Sequence, residues 1–264
     1  MPLQCDTELI EPRRLIIVKV ILLIVLCYTL PVGLVKAEPL LFVGSYFPFI
    51  LQQQADHSPS GVAVDIINAI MTNSDQPFEI VIVPWKRAQI LLRDGEADML
   101  IGPYKTAERQ DFIDYSSLPF YSDHMVFYSL KDNSFEWQGN YAQLEGKLIG
   151  VPLGWTGGES FEAHRSSLRI YGVPELKNGF EMLVRKRVDL VLSNQRNALV
   201  TINDLNIAQE INVLNFALEI TQGYFGFSKH HDVSRLKALF DQQLSEMVKN
   251  GRIKQINKKY GLEY

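Results

Sequence analysis

The segment Leu91-Leu92-Arg93-Asp94-Gly95-Glu96-Ala97-Asp98-Met99-Leu100-Ile101 has a second version further along the chain, Leu183-Val184-Arg185-Lys186-Arg187-Val188-Asp189-Leu190-Val191-Leu192. In each, a helix-patterned run ends in polar residues, an Asp follows, and an apolar strand begins. Any α/β unit can show that order, so the surroundings decide its meaning. Before the first copy, Leu40 to Ser45 is a short apolar run. Gly61 opens Val62 to Met71 with Ile66, Ile67 and Ile70 at helical spacing. Phe78 to Val83 is β-branched and strand-like, and Pro84-Trp85 breaks it. Lys86 to Asp94 reads as a helix stopped by Gly95, and Met99 to Ile101 as a third strand. The region therefore runs β-α-β-α-β, the order of a largely parallel sheet covered by helices.

The order then restarts. Lys147 to Val151 and Leu168 to Tyr171 read as strands, with a helix opening at Thr156-Gly157-Gly158-Glu159 between them. Phe180 to Lys186 reads as a helix and Asp189 to Leu192 as a strand. Two successive units of this kind predict two similar α/β lobes. The tail adds a Gly-aromatic strand at Gly223 to Phe227. An amphipathic helix follows at Val233 to Val248, then a last helix at Ile253 to Tyr260. Pattern alone leaves open which lobe the tail joins.

With 264 residues, 47% of them hydrophobic, the chain can bury a substantial core, and its net charge of −4 gives no nucleic-acid footprint. The start has a different composition. Arg13-Arg14 precede an apolar stretch from Leu15 to Leu30 broken by Lys19, and Val35-Lys36-Ala37 follow. Basic, apolar, then small residues is the order of a secretory signal peptide, here residues 1–37. The unbroken run Val20 to Leu30 is shorter than the ~20 residues of a spanning helix. Both cysteines, Cys5 and Cys27, fall in this segment, so the mature chain has no thiol chemistry. Leu26, a large residue, argues against lipid attachment at Cys27.

Several chemistries have no sequence support. No H-E-x-x-H, Cys cluster, G-x-S-x-G, P-loop or G-x-G-x-x-G occurs, and the histidines are scattered or adjacent. No metal and no cofactor is expected. Thr156 with Glu159 fits a capping box, and a helix start there either closes itself or attracts a carboxylate. Arg109, just past the third strand, either clasps a carboxylate or pairs with Glu108 or Asp111. Tyr46, Trp85, Tyr104 and Trp155 stand where strands give way to loops, the end of an α/β sheet at which ligands bind. Each ring is equally open to a plain packing role. Together these residues point to a shared cleft that closes by a hinge.

At these residues the chain resembles the periplasmic solute-binding proteins of the polar-amino-acid ABC-importer type, bacterial extracellular solute-binding protein family 3. The resemblance runs over about Leu40 to Tyr260. It is carried by Gly61-Val62-Ala63-Val64-Asp65, by Gly95 to Asp98, and by Gly102 to Arg109 with its T-x-E-R loop Thr106-Ala107-Glu108-Arg109. Phe112 to Ser116 with Pro119-Phe120-Tyr121, Leu144 to Lys147 with Gly150, Val151 and Gly154, and Gly251 to Gly261 continue it.

The resemblance implies a type II periplasmic-binding-protein fold with two α/β lobes, two hinge crossings and a ligand cleft between. It places lobe one at 38–122 plus 226–264 and lobe two at 123–225. It implies that Arg109 takes a ligand carboxylate, that Thr156 adds hydrogen bonds, and that Tyr46 and Trp85 flank the ligand. Three departures stand out. Gly102 and Tyr104 replace hydroxyl residues, Trp155 replaces a small one, and Asn194 replaces the aspartate that holds an ammonium group. Asn194 is equally a helix cap before Gln195.

The expected function is capture of a small carboxylate-bearing ligand, with an amino acid as the leading ligand, for a membrane ABC permease. The protein would be a periplasmic monomer without catalysis. The alternatives are a sensor signalling through a separate membrane receptor, and an enzyme resembling periplasmic dehydratases, for which Glu159 is the one nearby acid.

Overall fold

The computed structural model describes residues 38–262 apart from 73, 134 and 215. The segment 1–37, with its signal-peptide reading and both cysteines, lies outside the described residues. Strand β1 (Leu40–Gly44) pairs in parallel with β4 (Phe78–Ile82) and β5 (Met99–Tyr104). Helices Val62–Met71 and Trp85–Arg93 make the crossovers. The first begins where the sequence places it. Gly61 has φ 120°, and a Cβ there would stand 2.5 Å from the Ile50 carbonyl oxygen, so glycine alone fits that turn. A two-strand hairpin of β2 (Gln52–Gln53) and β3 (Pro59–Ser60) precedes it.

A second parallel block consists of β8 (Leu148–Pro152) with β9 (Arg169–Val173) on one side and β10 (Leu190–Asn194) on the other. Helices Leu176–Val184 and Gln195–Asp204 belong to it. Two ten-residue strands join the blocks, β7 (Tyr121–Leu130) and β12 (Glu219–Ser228). They pair antiparallel to each other, from Gly223 opposite Tyr121 to Glu219 opposite Met125. The far half of β12 pairs with β5 and with β6 (Ile113–Tyr115); the far half of β7 pairs with β10 and β11 (Ile211–Val213). The sheet order is therefore β4-β1-β5-β12-β7-β10-β8-β9. Each long strand lies partly in each block, so the chain crosses between them twice.

The tail packs on the first block. Helix Ser234–Lys249 inserts Phe240 against the rings of Phe42, Phe225 and Phe227. All four rings are fully buried, each contributing about 1.5–3 kcal/mol relative to exposure. Gly251, in the left-handed region at φ 76°, ends that helix and starts Arg252–Lys259, whose Lys259 reaches Asp65 at 2.7 Å. Among the described residues, no helix is long and apolar enough to cross a membrane.

Candidate functional site

The loops leaving β1, β5 and β8 meet at a cleft between the two blocks. A cavity of ≈ 30 Å³ lies there, lined among others by Phe47, Trp85, Tyr104, Arg109, Trp155 and Thr156. A second, outer crevice of ≈ 320 Å³ shares Arg109, Trp155 and Thr156 with it. A water needs roughly 10–15 Å³ and a small-molecule site roughly 300–1,000 Å³. The inner cavity as it stands takes water only, the outer crevice reaches the small end of ligand size, and the two share Arg109, Trp155 and Thr156.

The carbonyl of Gly154, on the turn after β8, borders the outer crevice. Three donors from the first block converge on it: Arg109 Nη2 at 2.6 Å, Trp85 Nε1 at 3.0 Å and Gln89 Nε2 at 3.5 Å. Arg109 is held at its other end by the Tyr104 carbonyl, 2.8 Å from Nη1. Its short helix, Ala107–Gln110, is capped by the Thr106 hydroxyl, which accepts from the Arg109 N–H. Arg109 is 5% exposed and its guanidinium forms no ion pair among the described residues. Glu108 pairs instead with Arg93. Burial pulls the Arg109 pKa below its ordinary value. A buried cation without a counter-ion is costly, and a bound anion relieves that cost.

Behind the Tyr104 ring is a second charged group. Asp123, on β7, accepts from the Tyr104 hydroxyl at 2.7 Å and from Arg196 at 2.5 Å. Arg196 comes from helix Gln195–Asp204 in the second block. It also donates to the Pro48 carbonyl, and its guanidinium lies 4.3 Å from the Phe47 ring centroid in the first block. Phe47 in turn contacts Tyr121 and Trp155 edge-on, with centroids 5.7 and 6.2 Å away. Burial, reinforced by the Asp123 carboxylate, pushes the Tyr104 and Tyr121 hydroxyls well above the ordinary tyrosine value, so both stay protonated donors. Tyr121 donates to the Gly102 carbonyl at 2.6 Å. Its ring covers Gly223, where a Cβ would stand 1.9 Å from Tyr121 Cε1.

Of the seven residues singled out from sequence, Trp85, Tyr104, Arg109, Trp155 and Thr156 line the cavity. Tyr46 does not: it is 54% exposed, and its neighbour Phe47 turns inward. Asn194 is fully buried and lies behind Tyr104 without lining the cavity. Its Oδ1 accepts from the Asn197 N–H at 2.8 Å as a helix cap, and its Nδ2 reaches Tyr104 Oη at 3.4 Å.

The capping box expected at Thr156 and Glu159 does not form. Gly158 at φ 100° delays the helix to Glu159–His164, and the Thr156 hydroxyl accepts from the Gly158 N–H at 3.1 Å. The carboxylate near that helix start belongs to the chain itself: Glu219 Oε2 accepts from the Ser160 N–H at 3.3 Å. Phe47, Gln89, Asp123 and Arg196 were not read from the sequence. Each reaches the cleft by a long-range contact that no local pattern signals. Among the described residues no group of His, Cys, Asp or Glu is arranged to hold a metal ion.

The model of the bacterial extracellular solute-binding proteins, family 3, matches residues 40–263. No curated protein matches the sequence at a significant level. Among solved structures, a histidine kinase sensor domain with similarity to periplasmic binding proteins aligns at TM-score 0.75. The two share 16% identity over 87% of this chain and 99% of that one. A mutant of ArgBP from T. maritima aligns at TM-score 0.70 with 22% identity, over 84% of this chain and 94% of that one. The arginine-, lysine-, histidine-binding protein ArtJ from Geobacillus stearothermophilus aligns at 0.69 with 23% identity, over 85% and 95%. The fold they share with this chain is the type II periplasmic-binding-protein fold.

Proposed function

This chain belongs to the family-3 bacterial extracellular solute-binding proteins, and from that premise we propose that it captures a small carboxylate-bearing solute of the amino-acid class and delivers it to an ABC importer. The observation that carries this reading is Arg109: a buried, unpaired guanidinium shared by two cleft spaces, the outer of which reaches the small end of ligand size. Arg109 exchanges the Gly154 carbonyl for the ligand carboxylate, the stronger, charged acceptor. Thr156 adds a hydroxyl from the opposite block. Trp85, Tyr104, Trp155 and Phe47 cover the rest of the ligand.

In this reading lobe one is 38–122 with 226–264, lobe two is 123–225, and β7 and β12 are the hinge. Closure over ligand is favoured because only the closed form makes contacts from both lobes at once. The protein works as a monomer outside the cytoplasmic membrane, in the periplasm, and catalyses nothing. The signalling alternative uses the same capture step and differs in its partner. Loss of solute uptake on deletion of the gene supports the importer role; unchanged uptake with a lost response supports the sensor.

A thermal-shift screen of the purified protein tests the capture step. A ligand at a hundredfold excess over Kd stabilises by about 2.7 kcal/mol. A shift with one or a few small carboxylates, absent for their amides, supports the reading. Shifts confined to solutes without a carboxylate overturn it.

A further inference from the structure

Among the described residues, three charged side chains of little exposure meet about the cleft, and their balance restricts the ligand further. Arg109 is buried, and the Arg196 and Asp123 side chains are 9% and 4% exposed. Asp123 and Arg196 neutralise one another. Arg109 is left over. A ligand carrying one net negative charge brings the cleft to neutrality. A zwitterion leaves the surplus positive charge in place and adds a second cation that needs its own partner.

No such partner faces the cavity among the described residues. Asp123 already receives Arg196 and the Tyr104 hydroxyl. The Gly102 carbonyl accepts from Tyr121, and the Tyr104 carbonyl accepts from Arg109 and, at 3.2 Å, from Tyr115. Asn194 Oδ1 is spent on its helix cap and Thr156 Oγ1 on Gly158. The next carboxylates, Glu108 and Glu162, border the outer crevice, and each is committed to an arginine: Arg93 at 3.3 Å and Arg165 at 2.6 Å. Ser45 adds a neutral hydroxyl to the inner cavity, and the other walls are mostly rings and aliphatic chains. The cleft thus supplies donors, a few neutral acceptors and apolar surface, and among the described residues no free carboxylate faces the inner cavity. An ammonium buried there loses its water without gaining a counter-charge, which costs far more than the aromatic faces return.

We infer that the site selects a monocarboxylate whose nitrogen, if it has one, is uncharged: an amine-free acid or an N-acylated amino acid with an apolar or aromatic body. This rests on the carboxylate reading above and, within it, puts an amine-free or N-acylated acid in place of the free amino acid.

Matched pairs test it by isothermal titration of the full protein: 3-phenylpropionate and N-acetyl-L-phenylalanine against L-phenylalanine, 4-methylpentanoate against L-leucine, indole-3-propionate against L-tryptophan, with L-arginine as the doubly cationic extreme. The charge-free member of at least one pair should bind about 100-fold or more tighter than its amine, as loss of an unpaired buried charge requires. L-arginine should give no heat of binding. Equal or tighter binding of the amines, or of L-arginine, overturns the inference and leaves the capture of carboxylates standing. If no acid binds, with or without an amine, the carboxylate reading falls and takes this inference with it.

Discussion

Replacing Arg196 by Met should destabilise the ligand-free protein far more than an ordinary surface change, because it breaks a buried pair from one side. The Arg196 and Asp123 side chains are 9% and 4% exposed and 2.5 Å apart. With the guanidinium gone, the Asp123 carboxylate stays buried with the Tyr104 hydroxyl at 2.7 Å as its remaining side-chain donor. Removing one partner of such a pair costs about 3–5 kcal/mol. For a domain of this size that is about 2–4 °C of Tm for each kcal/mol, so roughly 6–20 °C in all.

Asp123→Asn should cost a similar amount, since it strands Arg196 instead. The double variant should then cost clearly less than the two singles together, with a coupling of about 1.5–3 kcal/mol. Thermal or urea unfolding of the four proteins in the cycle measures this. Additivity within about 0.5 kcal/mol would refute the reasoning, because it would mean that the two groups do not share one desolvated site. The Arg196 variant also loses the Pro48 hydrogen bond and the Phe47 face, contacts that tie the second block to the first. Small-angle scattering should therefore show a more open particle for Arg196→Met than for Asp123→Asn.

Three further outcomes follow from the same geometry. Trp85→Phe keeps an aromatic ring, though a smaller one, and deletes the donor to Gly154; loss of about 1 kcal/mol from the closed ligand-free cleft should raise the ligand association rate severalfold in stopped-flow fluorescence. Gly223→Ala puts a methyl 1.9 Å from Tyr121 Cε1, and overpacking of that severity should cost about 1–3 kcal/mol in urea unfolding and weaken ligand binding with it. Burial raises the Tyr115 pKa to about 12, and Tyr104, Tyr121 and Tyr128 also shift upward. The unfolded chain loses these protons near pH 10 while the native state keeps them, so stability is intact below pH 10 and falls as pH rises toward 12. Melting curves from pH 8 to 12, with tyrosinate absorbance at 295 nm rising only as the protein unfolds, check this.

The parallel units were legible because they are local. Val62–Met71 could be bounded from Gly61 and its isoleucine spacing, and Phe78–Ile82 from its β-branched run. The long joining strands were less so. Tyr121–Leu130 alternates between buried and exposed at first and becomes continuously buried once it enters the second block, so no single period describes it.

The cleft divides along the same line. Arg109 and its capping Thr106 sit three residues apart and could be found by spacing. Arg196 and Asp123 are 73 positions apart, and Glu219 lies 59 from the helix start it serves. Such pairings arise from the closed tertiary arrangement and leave no mark on local sequence. Tyr46 and Phe47 exchange roles because β1 ends at Gly44 and Phe49 takes a φ of 65°, so strand alternation no longer fixes which ring turns inward.

The central claim is that Arg109 receives the ligand's carboxylate. Once the thermal-shift screen has supplied a binding acid, isothermal titration of that acid into wild type and Arg109→Met measures it. Deleting a buried, charge-assisted contact of this kind costs about 2–5 kcal/mol, so Kd should rise at least about 30-fold while the variant still melts cooperatively. A folded Arg109→Met protein that binds the acid as tightly as wild type would contradict the account.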